Sequence, residues 1–136
     1  MQFVINNWYL FLGIAVVLAM LVWGPLQQLI YGIHYVSIPE AVRLLNQEQG
    51  VVLDVRETEE YRSGHIPKAV HAPLSALGVT LGMLEKYKSR PVIVCCRTSQ
   101  RSARAAVWLR KQQFANVRVL AGGILAWQGD HLPVEK

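Results

Sequence analysis

Trp8 to Leu26 reads WYLFLGIAVVLAMLVWGPL, nineteen residues without a strongly polar side chain. At about 1.5 Å each they make roughly 28 Å of helix, close to the hydrocarbon thickness of a bilayer. A helix apolar on every face needs either lipid or a large core around it, and a chain of 136 residues seldom supplies that core. The charges agree. The first acidic or basic side chain is Glu40, so all 14 Lys and Arg and all 9 Asp and Glu lie behind this segment. Trp8 and Tyr9 flank one end and Trp23 and Tyr31 the other, as an interfacial belt requires. Asn6 and Asn7 can cap the first free N–H groups, and Gly24-Pro25 is expected to kink or finish the helix. A secretory signal peptide fits less well. No basic side chain precedes the apolar run, and no good small-x-small cleavage site follows it. The expected organisation is a tail over 1–7, a transmembrane helix over 8–30 and a soluble domain over 31–136. Arg43, Arg56 and Arg62 follow the helix, so the positive-inside bias puts that domain on the cytoplasmic side. The net charge of +5 suits a domain beside an anionic leaflet. The basic residues are scattered and form no binding motif, so nucleic acid is not an expected partner.

From about Tyr35 onward, apolar bursts alternate with helical patterns. Val36-Ser37-Ile38, Val51-Val52-Leu53, Val70, Pro91–Cys95 and Val117–Leu120 read as strands. Between them, Pro39–Leu45, Glu57–Arg62, Ser75–Tyr87 and Ser99–Gln113 read as helices, the third weakened by Gly78 and Gly82. Gly122-Gly123 breaks the chain before a last short helix through Trp127. Continuous apolar strands separated by helices imply an α/β fold with a parallel sheet covered on both faces. Sites in such sheets form beyond the carboxyl ends of the strands, where Asp54, Cys96 and Gly122 fall.

The only two thiols, Cys95 and Cys96, are adjacent where the cleanest strand gives way to the cleanest helix. Adjacent trans Cα atoms are about 3.8 Å apart, short of the roughly 4.4–6.8 Å of ordinary disulfides. Zinc ligands are normally paired at wider spacing, and no second Cys pair exists, so no metal is expected. A nucleophile is the remaining chemistry. Cys96 comes first after the strand, facing the N-terminus of a helix with its unpaired donors and partial positive charge. Arg97 and Arg101 add full charges. Such surroundings stabilise a thiolate and cradle an anion on its sulfur. Cys95 continues the strand and reads as a small buried hydrophobe.

Five pieces in register resemble a rhodanese-homology domain. They are Leu53-Asp54-Val55-Arg56, Glu59-Glu60-Tyr61, Gly64 to Pro73, Cys96-Arg97-Thr98-Ser99-Gln100-Arg101-Ser102, and Leu120 to Trp127, within residues 35–133. The resemblance implies a rhodanese-like five-stranded parallel sheet flanked by helices and preceded here by one transmembrane helix. It implies sulfane-sulfur transfer without a cofactor. The loop cysteine, matched by Cys96, takes sulfur from a small anion such as thiosulfate. It passes the sulfur from a persulfide to a thiol or cyanide; a sulfur-relay protein fits the same role. Arg101 matches the arginine that closes the loop. The backbone of Arg97, Thr98, Ser99 and Gln100, with Arg101, is expected to hold the substrate, with Arg56 at the rim. The anchored layout resembles small single-domain proteins of the bacterial inner membrane. Two other readings stay open: a rhodanese-fold binding module with little turnover, and a Cys-dependent phosphatase or arsenate reductase. The loop has four residues between Cys96 and Arg101, and the longer loop that the resemblance associates with phosphate or arsenate disfavours the last.

Four positions are read as support. Asp54 and Arg56 are expected to pin the loop by a salt bridge, His65 to hold the Gly-His-Ile-Pro turn, and Trp127 to pack in the core. Ser99 stands where sulfurtransferases commonly have Gly. A positive φ there would strain the loop.

Overall fold

The computed structural model describes residues Met1–Lys136. In chain order the elements are α1 (Gln2–Asn6), α2 (Trp8–Ile30), β1 (His34–Val36), α3 (Ile38–Gln47), β2 (Val51–Asp54), α4 (Thr58–Arg62) and β3 (Val70–His71). Then come α5 (Leu77–Leu84), β4 (Val92–Cys95), α6 (Gln100–Lys111), β5 (Val117–Leu120) and α7 (Gly123–Gly129). The five strands form one sheet in the order β1-β5-β4-β2-β3, with every pairing parallel.

Alternation along the strands makes two cores. Val51, Leu53, Val92, Val94, Val117 and Val119 point to the face covered by α5 and α6, where Leu77, Leu84, Ala106 and Leu109 meet them. Val52, Ile93, Cys95 and Leu120 point the other way, against Ala41 and Leu44 of α3 and Ile124 and Trp127 of α7. Leu109 is fully buried, which is worth about 2 kcal/mol relative to exposure. Every residue of β4 is buried, as the middle of such a sheet demands.

Two elements of the α/β domain differ from their sequence patterns. The first strand stops at Val36, because the Ser37 side chain accepts the Glu40 N–H at 3.4 Å and caps α3, with Pro39 in the first turn. Ile38 therefore begins a helix instead of ending a strand. The region Ser75–Tyr87 is α5 between two 3₁₀ turns, Leu74–Ala76 and Glu85–Tyr87. Gly78 and Gly82 lower the helical preference of that stretch.

No residue of α2 is buried. The helix does not finish at Gly24-Pro25. It continues to Ile30 and ends where the Tyr31 N–H donates to the Gln27 carbonyl at 2.9 Å. The α/β domain sits on this end through α6 and β1. Arg110 Nε donates to the Tyr31 carbonyl at 3.1 Å, and Tyr35 Oη donates to Gln28 Oε1 at 2.8 Å.

Candidate active site

β2 and β4 are neighbours whose outgoing connections run to opposite sides of the sheet, toward β3 and β5. A crevice at the carboxyl edge forms at such a switch point. Asp54 and Cys95 are register partners there, and Cys96 is the next residue.

The two thiols part company at this edge. Cys95 is fully buried in the α3–α7 face. Burial, with Asp54 nearby, pushes its thiol well above the usual cysteine range. Cys96 points to the opposite face, among residues that include Ala105 and Ala106 of α6, and is 1% exposed.

The backbone after Cys96 is arranged by α7. Ile124 N–H donates to the Cys96 carbonyl at 2.9 Å, and Leu125 N–H donates to the Arg97 carbonyl at 3.3 Å. Gly123, at φ +58, lies so close that a Cβ there would collide with the carbonyl oxygens of Cys96, Arg97 and Thr98. Three successive carbonyls thus gather on one side. In a trans peptide the N–H points away from its carbonyl, so the N–H groups of Arg97, Thr98 and Ser99 face the other side. Those of Gln100, Arg101 and Ser102 are the free donors of the first turn of α6. None of the amides from 97 to 102 has a partner in the protein. Together they form an anion cradle at a helix N-terminus.

Ser99 precedes α6 at φ −153, outside the left-handed region. The strain that a positive φ would bring is absent there. The residues other than glycine with positive φ are Gln49, Lys68, Gln113 and His131, none of them in this loop.

The guanidinium groups have separate duties. Arg101 makes a paired contact with Glu60, at 2.7 Å and 2.9 Å. That hydrogen bonding pulls the Glu60 carboxyl down to about 2. Glu60 is itself fixed by a capping box, accepting the Glu57 N–H at 3.3 Å. Arg56 is buried and forks onto Asp54, with its closest contact at 2.8 Å. It also donates to the Gly64 carbonyl at 2.7 Å. Arg97 is exposed and makes no ion pair. Arg56, Glu60, Arg97 and Leu125 line a cavity of about 300 Å³ beside the loop; Cys96 and Thr98 to Gln100 are not among its lining residues.

His65 is buried and stacks on Tyr61 with ring centroids 3.8 Å apart. Its Nδ1 lies 3.0 Å from the Tyr61 carbonyl oxygen. Trp127 is buried and donates from Nε1 to the Pro133 carbonyl at 2.9 Å.

Three residues of this edge were not singled out by chemistry in the sequence. Glu60 is 41 positions from Arg101, and only the acidic pair in register hinted at it. Gly123 was visible as half of a double glycine, but its collision with the loop was not. Ser102 is fully buried with a hydroxyl that has no partner, and nothing in the spacing marked it.

The family model of the rhodanese-like domain matches residues 37–130, more than half of the chain, and the chain belongs to that family. An uncharacterized protein YibN of Escherichia coli is 35% identical over 122 residues, spanning 89% of this chain and 85% of that protein. A thiosulfate sulfurtransferase GlpE of Pseudoalteromonas translucida is 34% identical over 94 residues, spanning 69% of this chain and 88% of that protein. The crystal structure of a rhodanese-related protein from Thermoplasma volcanium aligns with a TM-score of 0.67 at 27% identity, covering 75% of this chain and 97% of that one. Relatives bearing sulfurtransferase names put the chain in a sulfurtransferase family.

Proposed function

We propose that the chain is a membrane-anchored sulfurtransferase that moves sulfane sulfur through a persulfide on Cys96. The observation that carries this reading is the row of unpartnered amides from Arg97 to Ser102, directly after a cysteine at the switch point of the sheet. The donor is a small sulfur-containing anion such as thiosulfate. The Cys96 thiolate attacks the sulfane sulfur, and a new S–S bond forms. The donor's own S–S bond breaks, with its electron pair leaving on sulfite. The terminal sulfur of the persulfide is anionic and accepts hydrogen bonds from the cradle. An acceptor thiolate, or cyanide, then attacks that outer sulfur and returns Cys96 as a thiolate. Arg101, held by Glu60, closes the loop as a positioning residue, and Arg97 supplies an unpaired charge at the rim. Asp54 and Arg56 hold the strand end from which the loop departs.

Thiosulfate added to the full chain is expected to release sulfite and to add the mass of one sulfur atom to the peptide that holds Cys96. Cys96→Ser is expected to do neither. A wild-type chain that releases no sulfite and gains no mass would sink the reading, leaving a binding module of the same fold. The burial of Cys96 favours that second reading.

We infer further that residues 8–30 anchor the chain in a bacterial inner membrane with residues 31–136 on the cytoplasmic side. The helix is long enough to span and none of its residues is buried. Alkaline extraction should leave the full chain in the membrane and release a chain lacking 1–30. Equal partitioning of the two would refute the anchor.

A further inference from the structure

A second site lies where α6 meets the end of α2. A cavity of about 250 Å³ opens between them, lined by Gly24, Gln27 and Gln28 from one side and Arg104, Trp108 and Lys111 from the other. Arg104 and Lys111 are seven residues apart, so they stand on one face of α6, with Trp108 between them. Both are exposed and neither makes an ion pair. The Lys111 ammonium lies 5.5 Å from the Tyr31 ring centroid, which holds it over the end of α2. No acidic residue lines the cavity. Gln27 adds a side-chain amide that no protein group engages.

The height of this cavity along α2 decides what it meets. Leu26 ends the apolar run that begins at Trp8, about one hydrocarbon thickness away. Gly24 to Gln28 therefore lie where acyl chains give way to headgroups. Two unpaired cations, a side-chain amide and an indole at that level match a phosphate with glycerol and acyl chains beneath it. We infer that the α2–α6 junction binds the headgroup of an anionic phospholipid, with Arg104 and Lys111 on the phosphate and Trp108 against its glycerol region. This rests on the reading of α2 as a membrane anchor. The site is distinct from the cradle of residues 97–102, although α6 carries both.

The test uses the full chain reconstituted in vesicles of phosphatidylcholine mixed in equal parts with phosphatidylglycerol. After transfer to a mild detergent, native mass spectrometry reads which lipids stay bound and how tightly. Phosphatidylglycerol is expected to be retained over phosphatidylcholine. Arg104→Gln and Lys111→Gln should each weaken it about fivefold, and the pair about 25-fold. Phosphatidylcholine binding should not change. Arg104→Lys, which keeps the charge, should keep most of the preference. Equal retention of the two lipids, or a double variant that holds phosphatidylglycerol like the wild type, overturns the inference. Glycerol 3-phosphate, offered to the detergent-held chain, separates a lipid site from a free-anion site. Binding as tight as that of the lipid overturns the lipid assignment. The two failures are distinguishable. A chain stripped from the vesicles by alkaline carbonate sinks the anchor reading and this inference together. A chain that stays in the bilayer but shows no lipid preference sinks this inference alone.

Discussion

Gly123 shapes the loop after Cys96 without a side chain. Its φ of +58 and the three carbonyls gathered around its missing Cβ leave no room for alanine. Gly123→Ala is expected to cost about 3 kcal/mol, from left-handed strain plus overpacking against backbone that cannot move aside. Urea denaturation of residues 31–136 measures it, and sulfite release should fall with it. Ser102 makes the opposite case. Its buried hydroxyl has no partner, so Ser102→Ala removes no hydrogen bond. Stability should stay within about 0.5 kcal/mol of the wild type or rise. A loss well beyond that would reveal a bond to Ser102 that the present geometry does not contain.

Among elements, the contact between α4 and α6 carries a lowered carboxyl. Arg101 holds the Glu60 carboxyl down to about 2, from an ordinary value of 4.5. A depressed carboxylate contributes stability above its unfolded value and loses it as pH falls through its folded value. The stability gap between wild type and Glu60→Gln should therefore be constant above about pH 5. It should shrink between pH 4.5 and about 2 and close below that. Both side chains are about one third exposed, so the gap is a modest fraction of what a dry pair would give. Thermal melts of the two chains across that window are the check, and a gap that persists at the acid end would contradict the pairing.

The same elements mark what sequence patterns can and cannot reveal. β4 and α6 were legible because burial on both faces leaves an unbroken apolar run, and because a helix with one covered face repeats it in sequence. The cradle was legible as a cysteine between the two. The Glu60–Arg101 pair was not, since it joins residues brought together only by the crossover of the chain. A positive φ at Ser99 would strain the loop, and the residue lies instead at φ −153. Composition does not say which peptide plane must turn. That depends on which oxygens α7 captures.

At the scale of the whole molecule, the two cores begin at Val36 and take no buried residue from α1 or α2. Ile33 and Trp108 only pack at their margin. The chain lacking residues 1–30 is therefore expected to stay folded, with a urea midpoint close to that of the full chain in detergent. The Arg110 contact to the Tyr31 carbonyl remains in that truncated chain. A truncated chain without a cooperative transition would mean that α1 and α2 are part of the fold.

The amide donors of α7 that turn the carbonyls of Cys96 and Arg97 aside come late in the chain. A ribosome delivers the thiol first and the residues that shape its surroundings almost thirty positions afterwards. Until Leu125 has emerged and folded back, no α7 amide holds the carbonyls of Cys96 and Arg97. Each newborn copy thus passes through a stage in which the cysteine has left the ribosome but the loop behind it is not yet pinned, and that loop is set only by the closing helix.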